Sequence, residues 1–177
     1  MRVLTVYGSV HGSTAEVGHF IAEALQARGI DSDVTEAASA SAVEGYDAHV
    51  LGSAIHSGLW LPAMASFVRR SSSLLSGRPL YLWLSCMRAI EPGGYAYVTD
   101  NYLPNLLPRT LSFRKIGIFA GKVDLTTISQ DDAWTLTFRY DGAGDPFKLV
   151  GDHRDWDSIR AWAEQVADDL LADPASQ

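Results

Sequence analysis

Short apolar runs alternate with helical patterns along most of the chain, and that alternation narrows the possible folds more than any other feature. Residues 3–7, 48–52, 80–84 and 116–120 are apolar with little in-out alternation, so each is expected to be a strand covered on both faces. Residues 30–34 form a more polar run suited to a sheet edge. Between the runs, Val17, Ile21, Ala24 and Leu25 share one helical face, Ser13 and Glu16 have capping-box spacing, and Gly29 supplies a stop. A second helix is expected from near Pro62 through Met64, Phe67 and Val68. The last runs from Asp155 as N-cap through Ile159, Trp162, Ala163, Val166 and Leu170. Pro104 and Pro108 restrict residues 100–112 to short or interrupted helix. Strands and helices in this order predict an α/β fold: an open parallel sheet with right-handed crossovers.

The 177 residues, 47% of them hydrophobic, suffice for one core, and no repeat or linker divides them, so a single domain spanning 1–177 is expected. Residues 123–150 stand apart as an insertion, separating the last strand from the last helix by far more than the usual connection of about 2–6 residues. Within them Trp134, Leu136, Phe138 and Tyr140 alternate with Thr135, Thr137 and Arg139, which gives an aromatic face at strand period. A net charge of −7 argues against a nucleic-acid partner, which would require clustered Lys and Arg. Cys86, the single cysteine, excludes an internal disulfide, and neither a cysteine cluster nor metal-ligand spacing is present, so no metal is expected. The chain opens directly on a strand-like run, and nowhere do roughly 18 apolar residues run together. A cytoplasmic protein, at most peripheral to a membrane, is expected.

The loop Gly8-Ser9-Val10-His11-Gly12-Ser13-Thr14 joins the first strand to the first helix. In an open parallel sheet, that position aims backbone N–H groups and a helix N-terminus at whatever binds beyond the strand ends, which suits an anion. Ser9, Ser13 and Thr14 add hydroxyls, and the loop contains no Lys or Arg, so neutral donors and the helix dipole would hold a phosphate. The loop lacks the Gly-Lys-Ser/Thr ending of a triphosphate site and the three glycines of the dinucleotide fingerprint.

Tyr7, Ser9, Gly12, Thr14, Gly18 and Ile21, at this place between strand and helix, resemble the flavodoxin signature. Residues 51–58 resemble the second flavin loop, and Asp155-Trp156 at the start of the last helix is similar to the flavodoxin-like menaquinone-dependent protoporphyrinogen oxidases. The resemblance covers most of the chain. It implies a flavodoxin-like three-layer sandwich with a five-stranded parallel sheet of order 2-1-3-4-5 and FMN at the carboxyl edge, its phosphate held by Ser9, Val10, His11, Gly12, Ser13 and Thr14.

The flavin ring is then expected against the loops after the third and fourth strands, near the topological switch point. The candidates there are Ser53, Ala54, Ile55, His56, Ser57 and Gly58, then Ser85, Cys86 and Met87, with Trp60 and Tyr95 as aromatics able to stack on a flat ring. No catalytic residue is identified; His56 is the one candidate, because imidazole titrates near neutrality. Cys86 reads as a small residue in contact with the flavin rather than a redox thiol, since no second cysteine exists to resolve it.

Two functions remain open. One is an FMN-dependent oxidoreductase; the oxidase resemblance implies a porphyrinogen-like donor and a quinone acceptor, with the insertion shaping the substrate side. The other is a flavodoxin electron carrier between redox proteins, to which the acidic balance is suited by electrostatic steering. The aromatic face favours the enzyme. The insertion holds Arg139 and Lys148 among Asp131, Asp132, Asp141 and Asp145, so it offers no basic platform for porphyrin carboxylates or an anionic membrane.

Overall fold

The computed structural model describes residues 1–41, 43–106, 108–132 and 149–172. The apolar runs form strands β1 (Arg2–Gly8), β3 (Ala48–His56), β5 (Leu80–Ser85) and β6 (Lys115–Phe119), and β2 (Asp31–Glu36) is the polar edge. Their order is β2-β1-β3-β5-β6, parallel throughout. This is the 2-1-3-4-5 order expected, since β4 (Leu59–Trp60) only hairpins back along β3. The chain runs from β1 to β2 on one side and then crosses to β3 on the other, which puts the topological switch point between β1 and β3.

Strand period 2 divides the core into two layers. Val3, Val50, Tyr81 and Trp83 face helices α1 (Ser13–Ala27) and α5 (Trp156–Leu171), packing with Val17, Ile21, Leu25, Ile159 and Val166. Leu4, Val6, Leu51, Leu82 and Leu84 face the opposite layer, where α2 (Pro62–Leu75), α3 (Gly94–Asn101) and α4 (Leu103–Leu106) supply Met64, Phe67, Val98 and Leu103. A fully covered parallel sheet needs apolar residues on both faces, which is why its strands read as continuous runs.

Two local expectations are corrected. Residues 53–56 are not loop but the extended end of β3, which turns back through Ser57 (φ 55°) and Gly58 (φ 80°) into β4. Two successive positive φ values are the mark of a type I′ hairpin, whose twist matches that of its strands. The capping box does not form either: α1 is capped by Gly12 (φ 87°) with no side-chain hydrogen bond. Glu16 is drawn away by Arg154, which donates to it at 2.8 Å. Arg154 is almost wholly buried on its side chain (4% exposed), donates through two nitrogens to Asp152 at 2.7 and 2.6 Å, and donates to the Ser13 carbonyl at 3.1 Å. It also lies over the ring of Trp156. Asp155 caps α5 as expected, its carboxylate accepting from the N–H groups of Asp157 and Ser158.

The base of the insertion is closed by an antiparallel ribbon of β7 (Lys122–Val123) and β8 (Gly151–Asp152), pairing Lys122 with Asp152 and Val123 with Gly151. The aromatic alternation from Trp134 to Tyr140, with Arg139, Asp141, Asp145 and Lys148, lies outside the described residues.

His49 on β3 is fully buried, and its Nε2 donates to the Val43 carbonyl at 3.2 Å. Its Nδ1 has no partner among the described residues, and burial, with help from Arg78, pushes its pKa below the ordinary histidine value. The unfolded chain therefore takes the proton first as pH falls. Stability is expected to be full above the unfolded value of about 6.5 and to decline below it. The check is the urea midpoint at mildly alkaline and mildly acidic pH: His49→Gln should show a smaller loss between the two than wild type, and equal losses would refute the assignment.

Candidate functional site

Two adjoining cavities open at the carboxyl ends of β1, β3 and β5. The smaller, about 80 Å³, is walled by Ser9, Val10, His11, Ser13 and Thr14 of the first loop, with Ala54, Ile55, His56, Ser85 and Met87 opposite. Because α1 has no side-chain cap, the N–H groups of its first turn are left for a ligand, and the helix dipole favours a negative one. Gly12 takes the left-handed conformation that this loop requires, and its N–H donates to Ser9 Oγ at 3.1 Å.

The larger cavity, about 250 Å³, is lined by Ile55, His56, Ser57, Gly58, Cys86 and Met87, and by residues that the sequence did not single out: Arg88, Tyr102, Val123 and Ile128. His11, Ile55, His56, Met87 and Lys122 line both cavities, which join into one cleft. Tyr102 supplies an aromatic wall, packed against the Gly58 turn and edge-on to Tyr97 with ring centroids 5.5 Å apart.

Four other candidates line neither cavity. Trp60 faces the core and is 8% exposed, buried in the cluster that includes Met64 and Leu103. Tyr95, at 57% exposure, projects from α3 into solvent. Ser53 directs its hydroxyl to the Ala54 carbonyl at 2.8 Å and accepts from the Leu61 N–H at 3.3 Å. Gly12 contributes loop geometry rather than lining. Tyr102 is the tyrosine that lines the larger cavity, and only the chain path after α3 brings it to the hairpin.

The first loop carries no cation of its own, but the fold supplies one from elsewhere: Lys122 lies along both cavities, 3.2 Å from Asp124. The Thr126 hydroxyl, then the Thr126 N–H, and then Lys122 hold the Asp124 carboxyl down to about 2. Arg88 is likewise matched, by Glu91, and lies over the Tyr97 ring. Burial pushes the Cys86 thiol pKa up, which keeps it protonated and poorly nucleophilic. Among the described residues, no group of three His, Cys, Asp or Glu side chains is arranged to hold a metal ion, and no helix is long and apolar enough to cross a membrane.

A doubly wound sheet with an uncapped helix N-terminus and a cleft at its switch point defines a class of open α/β proteins. Within that class the family is specific: a family model described as a flavodoxin domain matches residues 4–146, and the chain belongs to that family. No curated protein gives a significant sequence match. Among solved structures, the chain is similar to a flavodoxin from Streptococcus pneumonia TIGR4, at 18% identity and TM-score 0.57, covering 96% of this chain and 99% of that one. A flavodoxin from the domain Archaea gives 11% identity and TM-score 0.57, covering 96% and 98%. The rubredoxin oxygen:oxidoreductase of Desulfovibrio gigas gives 16% identity and TM-score 0.55; 97% of this chain matches, but it spans only 36% of that protein. At these identities the likeness speaks for the fold alone.

Proposed function

We propose that this chain is an FMN-dependent oxidoreductase whose cleft holds the cofactor. The observation that carries this reading is the pairing of a small cavity at an uncapped helix N-terminus with a larger, partly aromatic one beside it. A monophosphate fits the first: Ser9, Ser13 and Thr14 would donate to it, with the first-turn N–H groups of α1. A flat ring fits the second, between Tyr102, Met87 and the hairpin at residues 55–58. When bound, FMN supplies the electron and hydride chemistry; the chain binds it, shields it and handles protons.

His56 and His11, which line both cavities, are the candidates for proton handling. The narrower assignment to a porphyrinogen donor and quinone acceptor rests on the sequence resemblance. Asp155 and Trp156, which contributed to it, cap α5 and pack against Phe20. The net charge of −7 favours the alternative, an electron carrier docking to basic redox proteins.

Titrating FMN into flavin-free protein tests the central reading. Quenched flavin fluorescence, a raised melting temperature and a Kd on the order of 1 μM or tighter, about −8 kcal/mol, are expected. Absence of both quenching and thermal shift would end it. Anaerobically reduced holoprotein offered a menaquinone analogue and, separately, a one-electron protein acceptor then divides enzyme from carrier: rapid turnover with the protein acceptor alone would leave the carrier.

A further inference from the structure

We propose that Asp132 is a positioning residue that makes His11 and His56 the proton-handling pair of the cleft, a role that rests on reading the cleft as the flavin site of an oxidoreductase. Three distant stretches converge here: His11 from the first loop, His56 from the end of β3 and Asp132 from the insertion, all three lining the larger cavity. Asp132 Oδ2 accepts from His11 Nε2 at 2.8 Å and from the Ser129 hydroxyl at 2.8 Å. Its Oδ1 lies 3.6 Å from His56 Nδ1, within ion-pair range. The two imidazoles are nearly parallel, 22° apart in plane with centroids 6.5 Å apart.

A carboxylate only accepts, so it selects which ring nitrogen keeps the proton. In the neutral form His11 carries its hydrogen on Nε2, leaving Nδ1 bare; His56 Nδ1, at 3.6 Å, lies beyond hydrogen-bond reach and pairs with the carboxylate once its ring is protonated. When an O–H or N–H group of a molecule in the cleft ionises, that bond breaks, its electron pair stays with the molecule, and the proton bonds to Nδ1 of His11 or to the unprotonated nitrogen of His56. The imidazolium so formed stands against the Asp132 carboxylate; reversal returns the proton.

The other charged and titratable groups on the cavity wall do not compete for this role. Lys122 is matched by Asp124 and Arg88 by Glu91. The buried Cys86 thiol stays protonated. For Asp132, burial pushes the carboxyl up, but hydrogen bonds from His11 and Ser129 and the charge of the two imidazoles outweigh it, and the group settles below the ordinary range. It is ionised wherever imidazole titrates.

The test compares the full chain with its Asp132→Asn variant. Long-range ¹⁵N–¹H spectra of the flavin-free proteins report which ring nitrogen bears the proton. Wild type is expected to show His11 as the Nε2–H form, and the variant, whose amide donates as well as accepts, a mixture of His11 tautomers. With FMN bound, the midpoint potential is measured between about pH 5.5 and 8.5, where imidazoles titrate. Wild type is expected to show a change of slope in that range that is displaced or lost in the variant. Unchanged tautomers, or superimposable potential-pH curves, would overturn the proposal. Failure of wild type to bind FMN would instead overturn the flavin reading, and the tautomer comparison, which needs no flavin, would still decide the role of Asp132.

Discussion

Gly52→Ala should destabilise the fold by about 3 kcal/mol, the upper end of what overpacking a core usually costs. A Cβ at Gly52 would stand 1.9 Å from Cε2 and 2.0 Å from Cζ2 of Trp83. The obstacle is a rigid, fully buried ring, and it has nowhere to retreat: its far edge already meets Gly18 of α1, where an added Cβ would sit 3.5 Å from the same indole. Either the indole leaves its rotamer or β3 parts from α1. Urea unfolding should show a lowered midpoint with an unchanged slope. Gly77→Ala is the control, since its nearest neighbour, a backbone oxygen of Leu74, is 3.9 Å away; a change within about 0.5 kcal/mol is expected there. If Gly52→Ala were equally mild, the close packing of sheet, indole and helix described above would be wrong.

Thr14→Val should weaken FMN binding about 30-fold, or about 2 kcal/mol, the usual scale for losing a hydrogen bond to a charged group. Thr14 is 2% exposed, and its residue lines the smaller cavity. Among the described residues its hydroxyl makes no hydrogen bond to the protein, so removing it should leave the melting temperature of the flavin-free protein nearly unchanged. Valine keeps the shape and loses only the donor. Ser9→Ala in the same background should weaken binding further, because Ser9 Oγ both lines the cavity and accepts the Gly12 N–H that shapes the loop. Affinity within about threefold of wild type for the double variant would remove the phosphate from this loop.

The strands were legible because burial on both faces writes itself into every residue of a run, as in Leu80 to Ser85, which is buried throughout; their order came from the flavodoxin resemblance. The loop from β1 to α1 was legible as a wall of the cleft because its parts are contiguous in the chain. What escaped was assembled by topology. Tyr102, Lys122 and Asp132 come from after α3, after β6 and within the insertion, and no local pattern announces that they share a cleft. Trp60 and Tyr102 are both aromatics near turns; only packing decides that one faces the core and the other the cavity. The hairpin was nearer to hand, since Ser57-Gly58 between apolar residues is itself a turn signal. The Ser13 and Glu16 spacing reads the same whether Glu16 folds back on its own helix or is claimed by Arg154 from 138 positions away.

That claim by Arg154 bears on the order in which the molecule becomes competent. Residues 9–14 leave the ribosome before the guanidinium that grips the Ser13 carbonyl and draws Glu16 aside, which is 141 positions downstream of Ser13. Until it arrives, Glu16 is free to fold back over the very N–H groups that an anion would need. The door and its key are thus made far apart in the chain, and an open first turn of α1 is a sign that β8 and the turn into α5 have already docked.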